Sequence, residues 1–205
     1  MLAAFTQFCA YLERVSGIVI GEDKRYLVES RILPIVRREK MTGLSQLLAA
    51  VQTNRLLRDE VVQAMTINET YFFRDKTPFE IISDKLFPRL HNALPPGESI
   101  KIWCAACSTG QEPYSLSMIA EERRALLQGR KVEILATDVS DPVIARARLG
   151  SYSSFEVQRG LSEERLGRHF IGNGTAWQIK PELKGRITFR SMNLLSDYSG
   201  VGPFD

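Results

Sequence analysis

Ile102-Trp103-Cys104-Ala105-Ala106-Cys107-Ser108-Thr109-Gly110-Gln111-Glu112-Pro113-Tyr114-Ser115 is the stretch on which the fold turns. Upstream, Ser99–Ala106 is short, mostly apolar and rich in Ile and Trp, the composition of a buried strand. A run of small residues follows, then a helical stretch from about Pro113 to Leu127 that Gly129 closes. Val132–Thr137 reads as a second strand, and Asp141-Pro142 opens another helix that stops at Gly150. Strand, helix, strand and helix in this order specify a parallel, doubly wound α/β sheet.

The loop between the first strand and its helix is where chemistry is expected. Small side chains at the carboxyl end of a parallel strand let a ligand approach the backbone. Gly110 is the only glycine there, so a tight strand–helix turn without a ligand explains the loop equally well. The second strand ends Ala136-Thr137-Asp138, which puts an acidic residue where a nucleoside ribose is commonly held. Asp138 could instead serve as a helix cap, although Ser140 and Asp141 can fill that role. The two features together point to a nucleoside-containing ligand.

Residues 1–94 read as an all-helical domain. Leu2, Phe5, Phe8, Leu12 and Val15 recur at helical spacing. A second helix is expected over Asp23–Arg38, kinked or interrupted by Pro34. Leu44, Leu47, Leu48 and Val51 mark a third helix, and Leu56, Leu57, Val61 and Val62 a fourth. Thr77-Pro78-Phe79-Glu80 has the form of a capping box. Pro95-Pro96-Gly97 is the expected linker to an α/β domain over 98–205. Inside that domain, residues 152–190 read as a small mixed insertion. It has a helix starting at Ser162, a Gly172-Asn173-Gly174 turn, and short strands near Trp177–Lys180 and Arg186–Arg190.

Composition narrows the function. The chain has 205 residues, 44% hydrophobic and 25% charged, with a net charge of +3, which fits an ordinary globular protein. No Lys/Arg stripe interleaved with aromatics suggests nucleic-acid binding. No run of about 18 apolar residues offers a membrane span. The first residues lack the basic start and apolar core of a signal peptide. Three cysteines do not make a disulfide framework, and a cytoplasmic location is expected. His91 and His169 sit in no catalytic-looking setting and are expected on the surface or on helix faces.

Asn68-Glu69-Thr70-Tyr71-Phe72-Phe73-Arg74 resembles the N-x-T-x-F-F-R segment of the chemotaxis receptor methyltransferase family, CheR. Ser108–Ser115 resembles that family's S-T-G-x-E-P-Y-S. Ala136-Thr137-Asp138, Asn193-Leu194-Leu195 and Gly202-Pro203-Phe204-Asp205 match its A-T-D, N-L-L and G-P-F-D segments, in the same order across the chain. The resemblance implies an N-terminal all-helical domain, then a Rossmann-like S-adenosylmethionine-dependent methyltransferase domain whose parallel sheet is incomplete at the C-terminus, with a small β-subdomain inserted. It implies methyl transfer to glutamate side chains of the cytoplasmic domain of chemoreceptors, with S-adenosylhomocysteine as product. It also implies a monomer, without metal, nucleic acid or membrane insertion.

By the same resemblance, Asn68, Thr70 and Arg74 contact the cofactor, with Arg74 meeting the carboxylate of its methionine part. Glu112 faces its polar end, Asp138 the ribose hydroxyls, and Asn193 with Leu194 the adenine side. Read without the family, Arg74 would form a surface ion pair with a neighbour such as Asp75. Lys24, Arg31 and Arg38 fall seven apart on one face with Arg37 adjacent. Arg31 and Arg37 match positions that meet the acidic receptor in the family, although Pro34 departs from its pattern. The short loop at Gly172–Ala176 implies a member that does not grip a receptor's C-terminal peptide. No general acid or base is singled out, because a glutamate carboxylate is already ionised near pH 7. What remains is alignment and exclusion of water.

Two other readings are open. Trp103-Cys104-Ala105-Ala106-Cys107 has the spacing of a W-C-x-x-C dithiol motif, but Cys104 is expected within the strand, away from an exposed helix N-terminus. The family continues beyond its G-P-F-D with C-R-N-V and I-Y-F segments. A non-catalytic fragment that binds cofactor or receptor is therefore the alternative function.

Overall fold

The computed structural model describes residues 2–205, with the side chain of Leu2 outside the described residues. Strand β1 (Ile100–Ala105) pairs in parallel with β2 (Val132–Asp138), with Ile100 opposite Val132 and Ala105 opposite Thr137. Their buried residues, Ile100, Cys104, Val132, Ile134 and Ala136, form the centre of the core. Helices α7 (Gln111–Glu122) and α8 (Arg124–Leu127) connect them. Helix α9 (Asp141–Leu149) follows β2 and ends at Gly150, whose φ of 57° is the left-handed turn expected of a helix terminator.

The insertion is smaller than the sequence suggested. A three-stranded antiparallel sheet in the order β3 (Ser151–Tyr152), β5 (Trp177–Ile179), β4 (Phe170–Gly172) makes its frame. Helices α10 (Ser154–Gln158) and α11 (Glu163–His169) lie between β3 and β4. Ser162 caps α11 by accepting from the Arg165 amide. After α12 (Pro181–Lys184), the strand expected near Arg186–Arg190 is β6 (Ile187–Ser191). It leaves the insertion to pair in parallel with β2, giving a main sheet in the order β1-β2-β6. Phe189 explains the difference, because its ring belongs to the core under β2 and packs 5.7 Å from Tyr114. The Gly202–Asp205 segment lies along the other edge of β1, where the Asp205 amide donates to the Lys101 carbonyl at 3.0 Å.

The compact units change over between Ile67 and Asn68, not at Pro95–Gly97. Residues Thr77–Ala93 are helical as expected. They run through α5 (Thr77–Ile81), a π turn (Ile82–Leu86) and α6 (Phe87–Ala93). Phe79 and Phe87 bury into the α/β core, which ties this helix to the second unit despite its place in sequence. The wide turn stands just ahead of Pro88, whose ring and missing N–H disrupt regular α bonding. The expected capping box does not form. Lys76 occupies the cap position with φ 46° and ψ −58°, and the Thr77 amide donates back to the Asp75 carbonyl at 2.5 Å. That is the rarer, strained form of γ-turn.

The first unit comprises α1 (Leu2–Ser16), a 3₁₀ turn (Glu22–Lys24), α2 (Arg25–Arg38), α3 (Leu44–Thr53) and α4 (Arg55–Met65). Asn193–Asp197 belongs to it as well. Helix α2 runs through Pro34 without interruption. A mid-helix proline costs about 3 kcal/mol, whereas each buried aliphatic side chain contributes about 1.5–3 kcal/mol. Val28, Ile32, Ile35 and Val36 are all buried on this helix, so packing wins. Leu56, one of the residues that mark this helix, is 82% exposed, while Leu57, Val61, Val62 and Met65 form the inner face of α4.

His169, expected on the surface or on a helix face, ends α11 and is not on the surface. It is buried, with Nε2 3.2 Å from Glu122 Oε1, and the Arg165 guanidinium holds both Glu122 oxygens at 2.9 Å. This cluster fastens the insertion to α7. Burial alone would raise the Glu122 carboxyl, but hydrogen bonds to His169 and Arg165, with the Arg165 charge, outweigh it and hold it down at about 2. A carboxyl depressed by folding stabilises fully above its usual value of 4.5, and that contribution is lost as pH falls towards 2. Glu122→Gln should therefore lower stability by about 1–2 kcal/mol at pH 7, allowing for partial solvent screening. In urea denaturation, the gap to wild type should close as the pH is lowered from 4.5 towards 2.

Candidate functional site

The site begins where β1 runs out. Ala106 and Ser108 take left-handed φ values of 70° and 50°, and Gly110 reaches 95°. Non-glycine residues in this region cost about 1–3 kcal/mol each unless the surroundings hold them. Here they are held. The Cys107 amide donates to the Thr137 carbonyl at 2.8 Å, and the Tyr152 hydroxyl donates to the Thr109 carbonyl at 2.8 Å. A Cβ at Gly110 would be crowded, standing 3.1 Å from both the Ala147 Cβ and the Tyr152 hydroxyl, so its neighbours would have to give way.

Asp138, at the end of β2, joins this loop to the next. One carboxylate oxygen accepts from the Ser108 amide at 2.9 Å and the other from the Ser140 amide at 3.1 Å. A carboxylate has about four acceptor positions, so each oxygen keeps capacity for another donor. Two residues along, the buried Ser140 hydroxyl has no partner among the described residues. A carboxylate with spare acceptors and an orphaned hydroxyl suit the hydroxyls of a ribose.

Ser108 also reaches the first family-like segment, because its hydroxyl donates to the Asn68 carbonyl at 3.0 Å. Asn68 and Thr70 line a cavity of about 430 Å³ together with Thr109, Gln111, Arg146 and Arg159. Arg74 and Glu112 are exposed and do not line it. Arg74 donates to the Glu69 carbonyl at 2.9 Å and lies 4.0 Å from Asp75, a loose version of the surface ion pair. The segment is anchored behind these residues. The Phe73 amide donates to the Ser115 hydroxyl at 3.0 Å, and that hydroxyl donates to the Gln111 carbonyl at 2.7 Å. Tyr114 bonds the Ala147 carbonyl at 2.8 Å. The Tyr-Ser pair of the strand–helix motif thus holds the site's walls in place.

Asn193 and Leu194 group with the helical unit. The Asn193 amide nitrogen caps α1 by donating to the Val15 carbonyl at 2.7 Å, and its oxygen accepts from the Leu195 amide at 3.0 Å. The basic face of α2 is largely engaged. Arg31 donates to the Thr66 carbonyl at 3.1 Å at the end of α4. Arg38 is held charged by hydrogen bonds to Glu60 and Glu39. Arg37 is exposed and makes no ion pair with the described residues.

The dithiol reading meets a physical obstacle. Cys104 and Cys107 are buried and unpaired. Burial pushes Cys104 well up, with Glu112 adding to it, and burial, followed by the nearby Asp138, pushes Cys107 up to about 12. Neither thiol is activated. Among the described residues no group of three or more His, Cys, Asp or Glu could hold a metal ion. No described helix is long and apolar enough to cross a membrane.

Several site residues carried no sequence signal. Arg146 lies on α9 and Arg159 just after α10, where an arginine ordinarily marks solvent, and only the fold brings them to the cavity. Ser140 was visible only as a possible helix cap, yet it makes no side-chain cap bond.

Parallel strands whose connecting loops converge on a buried acidic residue define an α/β nucleoside-cofactor domain, here accompanied by a helical unit. Comparison with known proteins narrows this. Residues 68–205 match the CheR methyltransferase, SAM binding domain, and residues 3–66 match the CheR methyltransferase, all-alpha domain. The Pseudomonas putida protein named chemotaxis protein methyltransferase Cher2 is 42% identical over 98% of this chain and 75% of its own length. Chemotaxis protein methyltransferase 1 of Vibrio cholerae is 43% identical over 98% of the chain and 74% of its length. The chemotaxis protein methyltransferase of Listeria innocua is 31% identical over 97% and 73%. The chain belongs to the CheR methyltransferase family, and S-adenosylmethionine is its cofactor.

Two measurements probe this geometry. Gly110→Ala should destabilise the protein by about 1–3 kcal/mol in urea, because left-handed strain and overpacking act together. Cys104 and Cys107 should resist an alkylating probe until the protein unfolds.

Proposed function

We propose that the protein, acting in the cytoplasm, transfers the methyl group of S-adenosylmethionine to glutamate side chains in the cytoplasmic domain of bacterial chemoreceptors. The observation that carries this reading is the joining of Asp138, Ser108 and Asn68 by hydrogen bonds in a chain that matches the methyltransferase family's cofactor domain. The chemotaxis methyltransferase names of its relatives support the substrate class.

In this reading Asn68, Thr70, Arg74, Glu112 and Asp138 hold the cofactor, and Asn193 with Leu194 serve its adenine side. Bound there, the cofactor supplies a methyl group that a sulfonium makes electrophilic. Held by these residues, the cofactor would supply that methyl group to the substrate carboxylate, its sulfur keeping the electron pair of the C–S bond. Glutamate methyl ester and S-adenosylhomocysteine result. No residue need remove a proton, because the attacking carboxylate is ionised at neutral pH. The chain's contribution is orientation. Asp138 and Ser140 receive the ribose hydroxyls, and the exposed Arg74 guanidinium suits the amino-acid carboxylate as a two-pronged donor.

Arg31 and Arg37 remain the residues proposed to meet the acidic receptor, with different duties. Arg31 already ends α4, so its part is to shape that surface, whereas Arg37 is available for contact.

Incubation with methyl-labelled S-adenosylmethionine and a receptor cytoplasmic domain should place label on the receptor that mild base releases as methanol. Base-stable label, or none, would contradict the reading. Arg37→Glu should raise KM for the receptor about tenfold, as loss of one steering charge and gain of its opposite would do. Affinity for S-adenosylhomocysteine should not change.

A further inference from the structure

We propose that Arg159 and Gly160, in the insertion, position the segment Asn68–Arg74 for the cofactor, so that the insertion serves as the mount of the cofactor site. This rests on the assignment of that segment to the cofactor.

The contacts run along consecutive residues of the segment. Arg159 donates to Glu69 Oε1 at 2.8 Å, and its guanidinium stands 4.4 Å from the centre of the Tyr71 ring. Arg74 approaches the same ring at 5.8 Å and bonds the Glu69 carbonyl. Glu69 therefore couples the two arginines, one through its side chain and one through its backbone. Phe72 is fully buried and meets Tyr152 of β3 and Phe170 of β4 edge-on, at 5.0 and 5.5 Å. Phe73 carries the Arg165 guanidinium of α11 over its ring at 3.9 Å.

Gly160 is the tightest point. A Cβ there would lie 1.8 Å from the Phe72 carbonyl oxygen, with φ at +94°. Only glycine lets the insertion's backbone press on the segment's backbone at this place. The need for a mount follows from the segment's own conformation. Phe73 within it, and Asp75 and Lys76 immediately after it, take left-handed φ values, of 52°, 64° and 46°. A strained chain of this kind relaxes unless its neighbours over-determine it. Ser115 holds it from one side through the Phe73 amide, and the insertion supplies the other hold.

Arg159→Ala is the direct test, since the residue is exposed and its loss leaves no cavity in the core. Arg168→Ala removes an ion pair with Glu164 elsewhere in the insertion and serves as the control. Three readouts apply to the full chain: calorimetric affinity for S-adenosylhomocysteine, KM and kcat for S-adenosylmethionine, and amide hydrogen exchange by segment.

For Arg159→Ala, affinity should fall about fivefold, the scale of one surface ion pair with a cation–π contact. KM should rise in step with kcat unchanged, and exchange should accelerate within residues 68–74 but not in β2. Arg159→Lys, which keeps the charge facing Glu69, should recover part of both effects, and Arg168→Ala should behave as wild type. Unchanged affinity and exchange in Arg159→Ala would overturn the proposal, as would acceleration spread evenly through the unit. If the wild-type chain fails to bind S-adenosylhomocysteine, the cofactor assignment fails. The exchange of residues 68–74 still decides whether the mount exists.

Discussion

The carboxylate of Asp138 is the constraint around which the site is organised. It accepts one backbone amide from the loop after β1 and one from the loop after β2, so a single side chain sets both at the sheet's carboxyl edge. The left-handed geometry at Ser108 depends on that bond, and through the Ser108 hydroxyl so does the placement of Asn68. A buried carboxylate needs such donors to offset its desolvation. The same donors leave its remaining acceptor positions free for a ligand. Stability of the loop and the proposed recognition of the ribose thus draw on one group.

Around this centre, motif residues divide into those proposed to meet the cofactor and those supporting them. Tyr114 and Ser115 are as regular a part of the family-like motif as Glu112, yet both are buried and bonded to neighbouring elements. Ser115 ties the segment through Phe73 to α7, and α7 is tied by Glu122 to Arg165 and His169 of the insertion. Each link joins an element of the candidate site to one remote from it. The methyl-transfer chemistry asks for little beyond alignment, and these supports are what provide it.

The α/β unit was legible because its signals are local. An apolar run, a small-residue loop and a glycine stop identify β1, α7 and β2 with little dependence on tertiary context. The unit boundary was not legible, since Pro95-Pro96-Gly97 is a turn by composition while the side taken by Thr77–Ala93 is decided by where Phe79 and Phe87 find a core. The same limit misplaced the strand at Ile187–Ser191. Its partner is β2, far away in sequence, and a short strand does not declare which sheet it will join. Within the site, Asp138 and Asn68 stood out by motif. Arg159, Gly160 and Ser140 act through distances that no spacing encodes, and His169 is buried only because Glu122 and Arg165 receive it. Pro34 shows the converse, a strong local signal overruled by four buried side chains on one helix.

The most direct test of the account is calorimetric titration of S-adenosylhomocysteine into the wild-type chain and into Asp138→Asn, which keeps the shape of the side chain but loses its charge and half of its acceptor oxygens. Wild type should bind, and Asp138→Asn should lose affinity by about 100-fold, the scale of two charge-assisted hydrogen bonds. Equal affinity in the two proteins would contradict the central role given to this carboxylate.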